Sequence, residues 1–491
     1  MTKSFIFLHP PVTLRRLSEE INQAKGRVSE YPIVPMGLFS MASRLEEEGF
    51  ETRIVNVSLL KLLNPEKKVE ELIKDLDAAI FGIDLHWFTH SYGAIELARL
   101  LKSIKNDSKV IVGGYTSSFF YEEIMKKFTF IDGIAIGLAE ESVVRYAKYV
   151  CKEIDAKEVS DFIVRDGNKI TTNYGKYESE DKIDRYNFVK VEKMVNWEEY
   201  LRCGPAGYDS LRKPSFWVLL GRGCMRNCGY CGGGIEGFKA ASMGNLLHVR
   251  KTEKVSEDID VLNSKYNVKL INFSHDPEAF GEKYYQKLFE NIRERKRDVS
   301  AYWDSFGIPK KEFINEALKT FNSIVIGISL ESTLDEVRFK IGRNYTIEEF
   351  IKSRDYLRNE NIGIDIYWTI GLPGETEESA MKIISKSSDL MRLYKNALVI
   401  PPFPYTLDPN APMALHPERY GIKKLYKNFE DYYKATSSLK WTDWVAHETK
   451  NMSKKKIAEV TERAYRAITG IYEAGLFREN IEHRYRLDHE A

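Results

Sequence analysis

Apolar residues in the first third of the chain fall into short runs separated by stretches of helical period. Ser4–His9, Thr52–Val57, Ala79–Asp84, Lys109–Gly113 and Ile131–Ile136 are rich in Val, Ile, Leu and Phe and read as buried strands. Between them, Met36–Glu48 carries Leu38, Met41, Ala42 and Leu45 at helical spacing, with Gly49 as a stop, and Tyr92–Ile104 sets Ala94, Leu97, Ala98 and Leu101 on one face. Lys67–Leu76, Ser117–Lys127 and Glu140–Lys152 also read as helices. This alternation predicts an α/β fold, a doubly wound Rossmann-like parallel sheet over 1–155. Such sheets bind ligands beyond the C-terminal ends of their strands, which here are His9–Pro11, Asp84–Gly93, Gly113–Ser118 and Gly137–Glu141.

A hairpin over Asp161–Thr172, turning at Asp166-Gly167, lies in an irregular linker over 156–212. A second series then begins. Phe216–Leu220, Lys269–Phe273, Ser300–Asp304, Ser323–Ser329, Ile364–Ile370 and Ala397–Ile400 are apolar strands with helical patterns between them. They predict a partial (β/α)6 barrel over 213–410, with its active residues at the C-terminal strand ends. The remainder, 411–491, is aromatic and mainly helical, with a long helix over Ser453–Phe477.

The 73 basic residues nearly balance the 72 acidic ones, so no charge excess points to nucleic acid. No run of about 18 apolar residues predicts a membrane span. The opening MTKSFIFLHPPV has too short an apolar run for a secretory signal. Five cysteines without a pairing pattern fit a reducing cytoplasm.

Three of those cysteines, Cys224, Cys228 and Cys231, stand as C-x3-C-x2-C in the glycine-rich segment from Gly221 to Gly234. Three thiolates on one loop can hold three irons of a [4Fe–4S] cluster and leave the fourth iron open to a substrate. A zinc site or three unrelated core cysteines are the alternatives. Zinc usually takes four ligands from paired C-x2-C units, and the remaining Cys151 and Cys203 are solitary.

This spacing resembles that of the radical S-adenosylmethionine (SAM) enzymes, in which the open iron chelates SAM. The resemblance extends along the second series. GISLESTLDEVRFKIGRNYT, the Gly-Leu-Pro-Gly-Glu at 371–375 and VIPPFPYTLDPNAPM each match a family segment. It implies SAM contacts from Tyr230, Gly232, Gly233, Ser329, Glu331, Arg343, Gly371 and Leu372. The second strand ends in Phe273-Ser-His-Asp-Pro277 instead of the family's Gly-Gly-Glu, so His275 and Asp276 are the candidates for holding the SAM amino group.

The first series resembles the cobalamin-binding domain of class B radical SAM enzymes. The matching pieces are His9-Pro10-Pro11, Pro35-Met-Gly37, the loop Asp84–Gly93, Val112-Gly-Gly114 and Gly137-Leu-Ala-Glu140. The resemblance implies cobalamin contacts from Pro10, Asp84, His86, Trp87, His90, Gly113, Gly114, Thr116, Ser117 and Gly137. Other B12 domains ligate cobalt through Asp-x-His-x-x-Gly. Here Asp84-Leu-His86-Trp-Phe-Thr89 lacks the glycine. Class B proteins usually hold cobalamin without a protein imidazole, which implies Trp87, Phe88 and His90 packed near the corrin's lower face. His86 as a cobalt ligand is the alternative.

Together the two resemblances imply methylation of an unactivated sp3 carbon through a 5′-deoxyadenosyl radical and methylcobalamin, with electrons from a donor such as a ferredoxin or flavodoxin. A radical rearrangement or redox reaction, with or without cobalamin, is a second reading. A non-enzymatic iron–sulfur sensor or electron carrier is a third. A peptide side chain, a lipid or a small metabolite would each suit as substrate. Its contacts are expected from the linker near Cys203–Asp209, from the aromatic C-terminal region and from Tyr302, Trp303, Asp304, Tyr367, Trp368 and Tyr405 near strand ends.

Overall fold

A computed structural model describes residues 3–23, 30–173, 183–204, 207–241 and 247–489. Every predicted strand is present, with ends within two residues of those expected. The first sheet comprises β1 (Ser4–His9), β2 (Glu51–Asn56), β3 (Ile80–Asp84), β4 (Lys109–Gly113), β5 (Gly133–Ala135), β6 (Phe162–Asp166) and β7 (Lys169–Asn173). Its order is β2-β1-β3-β4-β5-β6-β7. The first five strands are parallel. Helices cover both faces, which is why β1 and β3 read as almost unbroken apolar runs.

The hairpin β6–β7 continues this sheet instead of belonging to a linker, pairing antiparallel with β5. Its Phe162, Ile163 and Val164 are buried, and it covers the edge that β5 would otherwise leave open. The helix expected over Ser117–Lys127 is two, Tyr115–Phe119 and Tyr121–Lys127. Val57–Leu63, unforeseen, is a helix capped by the Asn56 side chain, which accepts from the Leu59 amide at 2.9 Å.

The second sheet is β8 (Ser215–Val218), β9 (Leu270–Phe273), β10 (Ser300–Ser305), β11 (Ile324–Glu331), β12 (Ile362–Ile370) and β13 (Ala397–Val399), in sequence order and parallel throughout. A short β14 (Phe403–Pro404) pairs with the end of β12. It is a part-barrel. A C-terminal helix, Arg478–His489, closes the end where the strands begin. Arg484 makes two bonds, of 3.0 and 3.2 Å, to Asp365 on β12, and Leu487 joins Leu270, Tyr302 and Val325 in a small apolar cluster.

The rest of the C-terminal region touches both halves. The helix Phe429–Thr436 packs on the first sheet's helices, with Tyr432 against Phe88 at 5.1 Å and the Tyr433 hydroxyl donating to Glu96 at 2.6 Å. The segment before it reaches the cysteine loop, where Met413 N donates to Gly229 O at 2.8 Å.

Candidate active site

The C-terminal ends of β1–β5 face the mouth of the part-barrel across one cavity of about 500 Å³. From the first half it is lined by Tyr31, Asp84, His86, Trp87, Gly113, Gly114, Tyr115 and Gly137. From the second half it is lined by Trp217, Arg222, Cys224, Cys231, Gly233, His275 and Phe306. Ligand loops of two separate α/β units therefore open into the same space.

The cysteine loop follows β8 directly, which sets it at the barrel mouth. Backbone amides support its thiols: Arg226 N donates to Cys224 Sγ at 3.4 Å, and Gly233 N to Cys231 Sγ at 3.3 Å. Burial pushes the Cys231 thiol up to about 12, with Asp408 adding to the effect. Among the described residues no three His, Cys, Asp or Glu side chains sit close enough to hold a single metal ion. Cys224 and Cys231 both open to the cavity.

Neighbours hold the loop. Leu220 N donates to Ser274 Oγ at 3.0 Å, Ser274 Oγ bonds His275 Nδ1 at 2.8 Å, and His275 Nε2 bonds Gly223 O at 2.8 Å. His275 thus braces the residue before Cys224. Burial keeps its pKa low. Asp276 caps the turn at Pro277, accepting from Glu278 N at 3.0 Å and Phe306 N at 2.9 Å. Burial raises its carboxyl to about 6. Sequence reasoning missed Asp408 and Asn410. Asp408 accepts from Gly232 N at 3.1 Å, and Asn410 donates to Gly232 O at 2.7 Å and Gly237 O at 2.9 Å. It also missed Arg222, which pairs with the buried Glu140 at the start of the helix Glu140–Val150 in the first half. Burial opposes a charged Glu140, but Arg222 and the Ser40 hydroxyl, 2.6 Å away, outweigh it and hold the carboxyl below its usual range. Such long-range pairings leave no local signal.

Beside the loop lies a second group. Glu331 ends β11 at a register shift, with φ of 63°, a conformation uncommon outside glycine. It accepts from the Tyr230 hydroxyl at 2.9 Å, Arg343 Nη2 at 3.0 Å and Thr369 Oγ1 at 2.6 Å. The following segment packs on the loop, with Ile341 O accepting from Gly229 N at 2.9 Å. Ser329 lies two residues earlier on the same strand, its carbonyl accepting from the Tyr345 hydroxyl at 2.6 Å. The structure thus brings Tyr230, Glu331 and Arg343 together next to Cys228, and links them to one another.

On the first half, His9 and Asp84 form a buried ion pair at 2.9 Å, and His9 Nε2 donates to Tyr31 O at 2.8 Å. Burial opposes the charged ring, but Asp84 outweighs it and raises the His9 pKa. Pro10 is buried, and the next carbonyl, of Pro11, abuts Gly93 so tightly that a Cβ there would lie 1.7 Å from it. Pro10 is not in the cavity wall. Thr116 and Ser117 also stand behind the wall. Thr116 Oγ1 donates to His86 O at 3.0 Å, and Ser117 Oγ to Gly114 O at 3.1 Å. They fix the wall and do not line it. Gly114, at φ of 113°, lies so close that a Cβ would sit 2.8 Å from both His86 N and Cα. His90 is sealed in, with both ring nitrogens buried and without a partner among the described residues. His86 does line the cavity, and burial pushes its ring down to about 4, so that it is neutral at pH 7. This cradle of small residues and aromatic rings fits a flat, largely apolar group such as a corrin.

Comparison with known proteins agrees in both halves. A model of the B12 binding domain matches residues 24–147, and a model of the Radical SAM superfamily matches 218–386. The chain joins a B12-binding domain to a radical SAM domain. An uncharacterized methyltransferase of Pyrococcus horikoshii is 22% identical over 76% of this chain and 77% of its own. The structure of the radical S-adenosylmethionine methyltransferase TsrM from Kitasatospora setae, with tryptophan and a SAM analog bound, matches with a TM-score of 0.60 at 15% identity, over 87% of this chain and 79% of that one. OxsB, a cobalamin-dependent S-adenosylmethionine radical enzyme solved with aqua-cobalamin and SAM, matches with a TM-score of 0.62 at 12% identity, over 96% and 67%. These structural likenesses carry the fold. The two domains imply a [4Fe–4S] cluster, SAM and cobalamin as cofactors, and the chain is a cobalamin-dependent radical SAM enzyme. Among its described residues no helix is long and apolar enough to cross a membrane.

Within the radical SAM domain, the turn at Gly371–Glu375 is held by one carboxylate. Glu375 Oε2 accepts from Gly371 N at 3.1 Å and Leu372 N at 3.0 Å, and Oε1 accepts from Ser332 Oγ at 2.7 Å. Gly371 O accepts from His447 Nε2 at 2.7 Å. Burial raises the Glu375 carboxyl from 4.5 to about 7. A carboxyl raised in the native state binds its proton more tightly there. Its contribution to stability is full below pH 4.5 and is lost as pH climbs through about 7. The size is about 3 kcal/mol. Glu375→Gln keeps one oxygen to accept from Gly371 N and Leu372 N, turns the contact with Ser332 Oγ into one donated by its NH2, and removes the charge. Its unfolding free energy is expected to lack that decline between pH 4.5 and 7. Equal pH slopes for both proteins in urea unfolding would refute the assignment.

Proposed function

We propose that this enzyme is a methyltransferase that methylates an unactivated sp3 carbon. The reading is carried by the cavity that Cys224 and Cys231 share with the B12-binding loops. When bound, the cluster with SAM supplies a 5′-deoxyadenosyl radical, and cobalamin supplies the methyl group. The protein's own work is alignment and exclusion of water, and no protein base is needed. Cys224, Cys228 and Cys231 hold the cluster. Tyr230, Gly232, Gly233, Ser329, Glu331, Arg343, Gly371 and Leu372 form the SAM side. Apolar groups at Trp217, Leu219, Phe306 and Met36 line the shared space and keep it dry.

Asp304, at the end of β10, bears on the substrate. Its Oδ1 accepts from the Tyr302 hydroxyl at 2.9 Å, and Gly327 makes room for it, since a Cβ there would lie 2.1 Å from that oxygen. Tyr302 also meets the Tyr367 hydroxyl at 3.1 Å. Trp303 and Trp368 point the other way, into the core, where Trp303 packs against Phe313 and Trp368 Nε1 donates to Ser387. Inside the barrel the polar group is thus Tyr302–Asp304–Tyr367, of which Asp304 is the exposed member, and a substrate amine or hydroxyl would rest on Asp304. Arg226 and Asn227, exposed between the first two cysteines, are where a ferredoxin or flavodoxin would approach.

The test is anaerobic reconstitution with iron, sulfide and hydroxocobalamin, followed by incubation with reductant, deuteromethyl SAM and fractionated peptides, lipids and metabolites. About four irons and one corrin are expected, with a product carrying the deuterated methyl. SAM cleavage without label in any product would favour the rearrangement or redox reading. Iron without corrin would remove methyl transfer from cobalamin.

A further inference from the structure

Asp304, Glu331 and Asp365 act on one another inside the part-barrel, and the arginines beside them cover only two of the three. Asp365 on β12 takes two bonds from Arg484, at 3.0 and 3.2 Å, and Arg484 also pairs with Asp488. Glu331 at the end of β11 takes Arg343 at 3.0 Å. Asp304 at the end of β10 accepts only from the neutral Tyr302 hydroxyl, at 2.9 Å, and no cation pairs with it among the described residues. The charge inside the barrel is therefore short by one positive group.

Asp304 is also open. It is exposed between the buried Trp303 and Ser305. The space it faces is nevertheless enclosed, because burial raises its pKa, and Tyr302 and Arg343 oppose that rise without cancelling it. A carboxylate without a counter-ion in such a place is costly to keep charged until a cation joins it. Aromatic rings border the approach. Trp217 meets Tyr302 edge-on at 6.3 Å, Phe306 follows Asp304 by two residues, and both line the cavity. Tyr31 lines it from the first half and is exposed there. Its hydroxyl has no hydrogen-bond partner among the described residues. Burial, with the Asp304 charge behind it, pushes that hydroxyl up to about 12, so at pH 7 it is neutral and can accept. Aromatic faces beside an open carboxylate favour a cation over a neutral group.

We propose that the substrate carries a cationic nitrogen, a primary ammonium or a guanidinium, and that Asp304 holds it, with the Tyr31 hydroxyl as a second acceptor. This rests on the methyltransferase reading above and narrows it, since that reading leaves a substrate amine and a hydroxyl equally open. A hydroxyl bonds the carboxylate but leaves its charge uncovered. An ammonium or guanidinium does both, through charge-assisted bonds that are stronger than neutral ones. The cationic group is a handle only. It keeps its protons and its charge, and the methyl group goes to a carbon elsewhere in the same molecule.

The test uses the full chain, reconstituted anaerobically and incubated with reductant, deuteromethyl SAM and a mixed extract of peptides, lipids and metabolites. One portion of the extract is first treated with acetic anhydride to block amines and with phenylglyoxal to block guanidines. Labelled product is expected from the untreated extract and is expected to vanish after blocking. Labelling that survives both blocks would overturn the proposal, and this arm needs no variant. In Asp304→Asn the half-saturating amount of untreated extract is expected to rise about 10- to 150-fold, the loss of a bond to a charged group. In Tyr31→Phe it is expected to rise by less, about 2- to 10-fold, the loss of a neutral acceptor. The KM for SAM, bound iron and bound corrin are expected to match the wild type. Unchanged half-saturation in the Asp304 variant would overturn the proposal. A raised KM for SAM instead would assign Asp304 to the SAM sulfonium and overturn it as well. No labelled product from the untreated extract would overturn the methyl-transfer reading itself, an outcome separate from these.

Discussion

Replacing Cys224, Cys228 and Cys231 together by alanine is expected to take bound iron from about four atoms to none and to abolish SAM turnover. The three thiols are the cysteines at the barrel mouth. Cys203 is buried in the core, its thiol pushed up to about 12 by burial, and Cys151 ends a helix of the first domain. Neither can substitute. Because the three cysteines are only partly buried and the loop is also held by His275, Asp408 and Asn410, the fold should survive. The variant should therefore keep its circular dichroism and corrin binding while losing iron. Iron retained by the triple variant, or SAM consumed at the wild-type rate, would mean that the cluster is not where the loop places it.

The second large effect is expected at Gly114. Alanine there must adopt φ near 113° and bring its Cβ to 2.8 Å from the His86 backbone. Strain of this kind costs of order 1–3 kcal/mol. The β3 and β4 loops are sewn together by Leu85 N to Gly113 O at 2.7 Å and Thr116 N to His86 O, so the clash is relieved by shifting the cavity wall. If the whole cost falls on the corrin-bound form, affinity drops roughly 5- to 150-fold. Dialysis against hydroxocobalamin measures this, with iron content as the control. A corrin-poor protein with normal iron is the expected outcome. Unchanged corrin affinity would show that this loop does not shape the corrin site.

What could be read from the sequence was local or periodic. The cysteine spacing names its chemistry within eight residues. The alternation of apolar runs and helical faces gave both sheets, since a parallel strand buried on two faces must be apolar along its length. The loops at the strand ends followed from that topology. What could not be read depends on distant partners. Nothing near Arg222 announces Glu140, and nothing near Gly232 announces Asp408 and Asn410. The hairpin β6–β7 looked free-standing because its pairing with β5 is tertiary. Residue type alone also misleads about roles. Asp276 and Thr116 have the chemistry of ligand contacts, yet they spend their oxygens on backbone amides and carbonyls. His86 and His90, four residues apart, look alike until the fold seals one and opens the other.

The ties across the two domains bear on engineering. Arg222 anchors the cysteine loop to Glu140 of the first domain, and the helix Phe429–Thr436 rests on that domain although it comes after the second. A radical SAM core cut out near residue 213 would strand Arg222 without its carboxylate and expose the aromatic underside of that helix. These modules are therefore not interchangeable cassettes. A chimera that grafts a foreign corrin domain onto this core must carry the matching carboxylate and the matching aromatic platform with it.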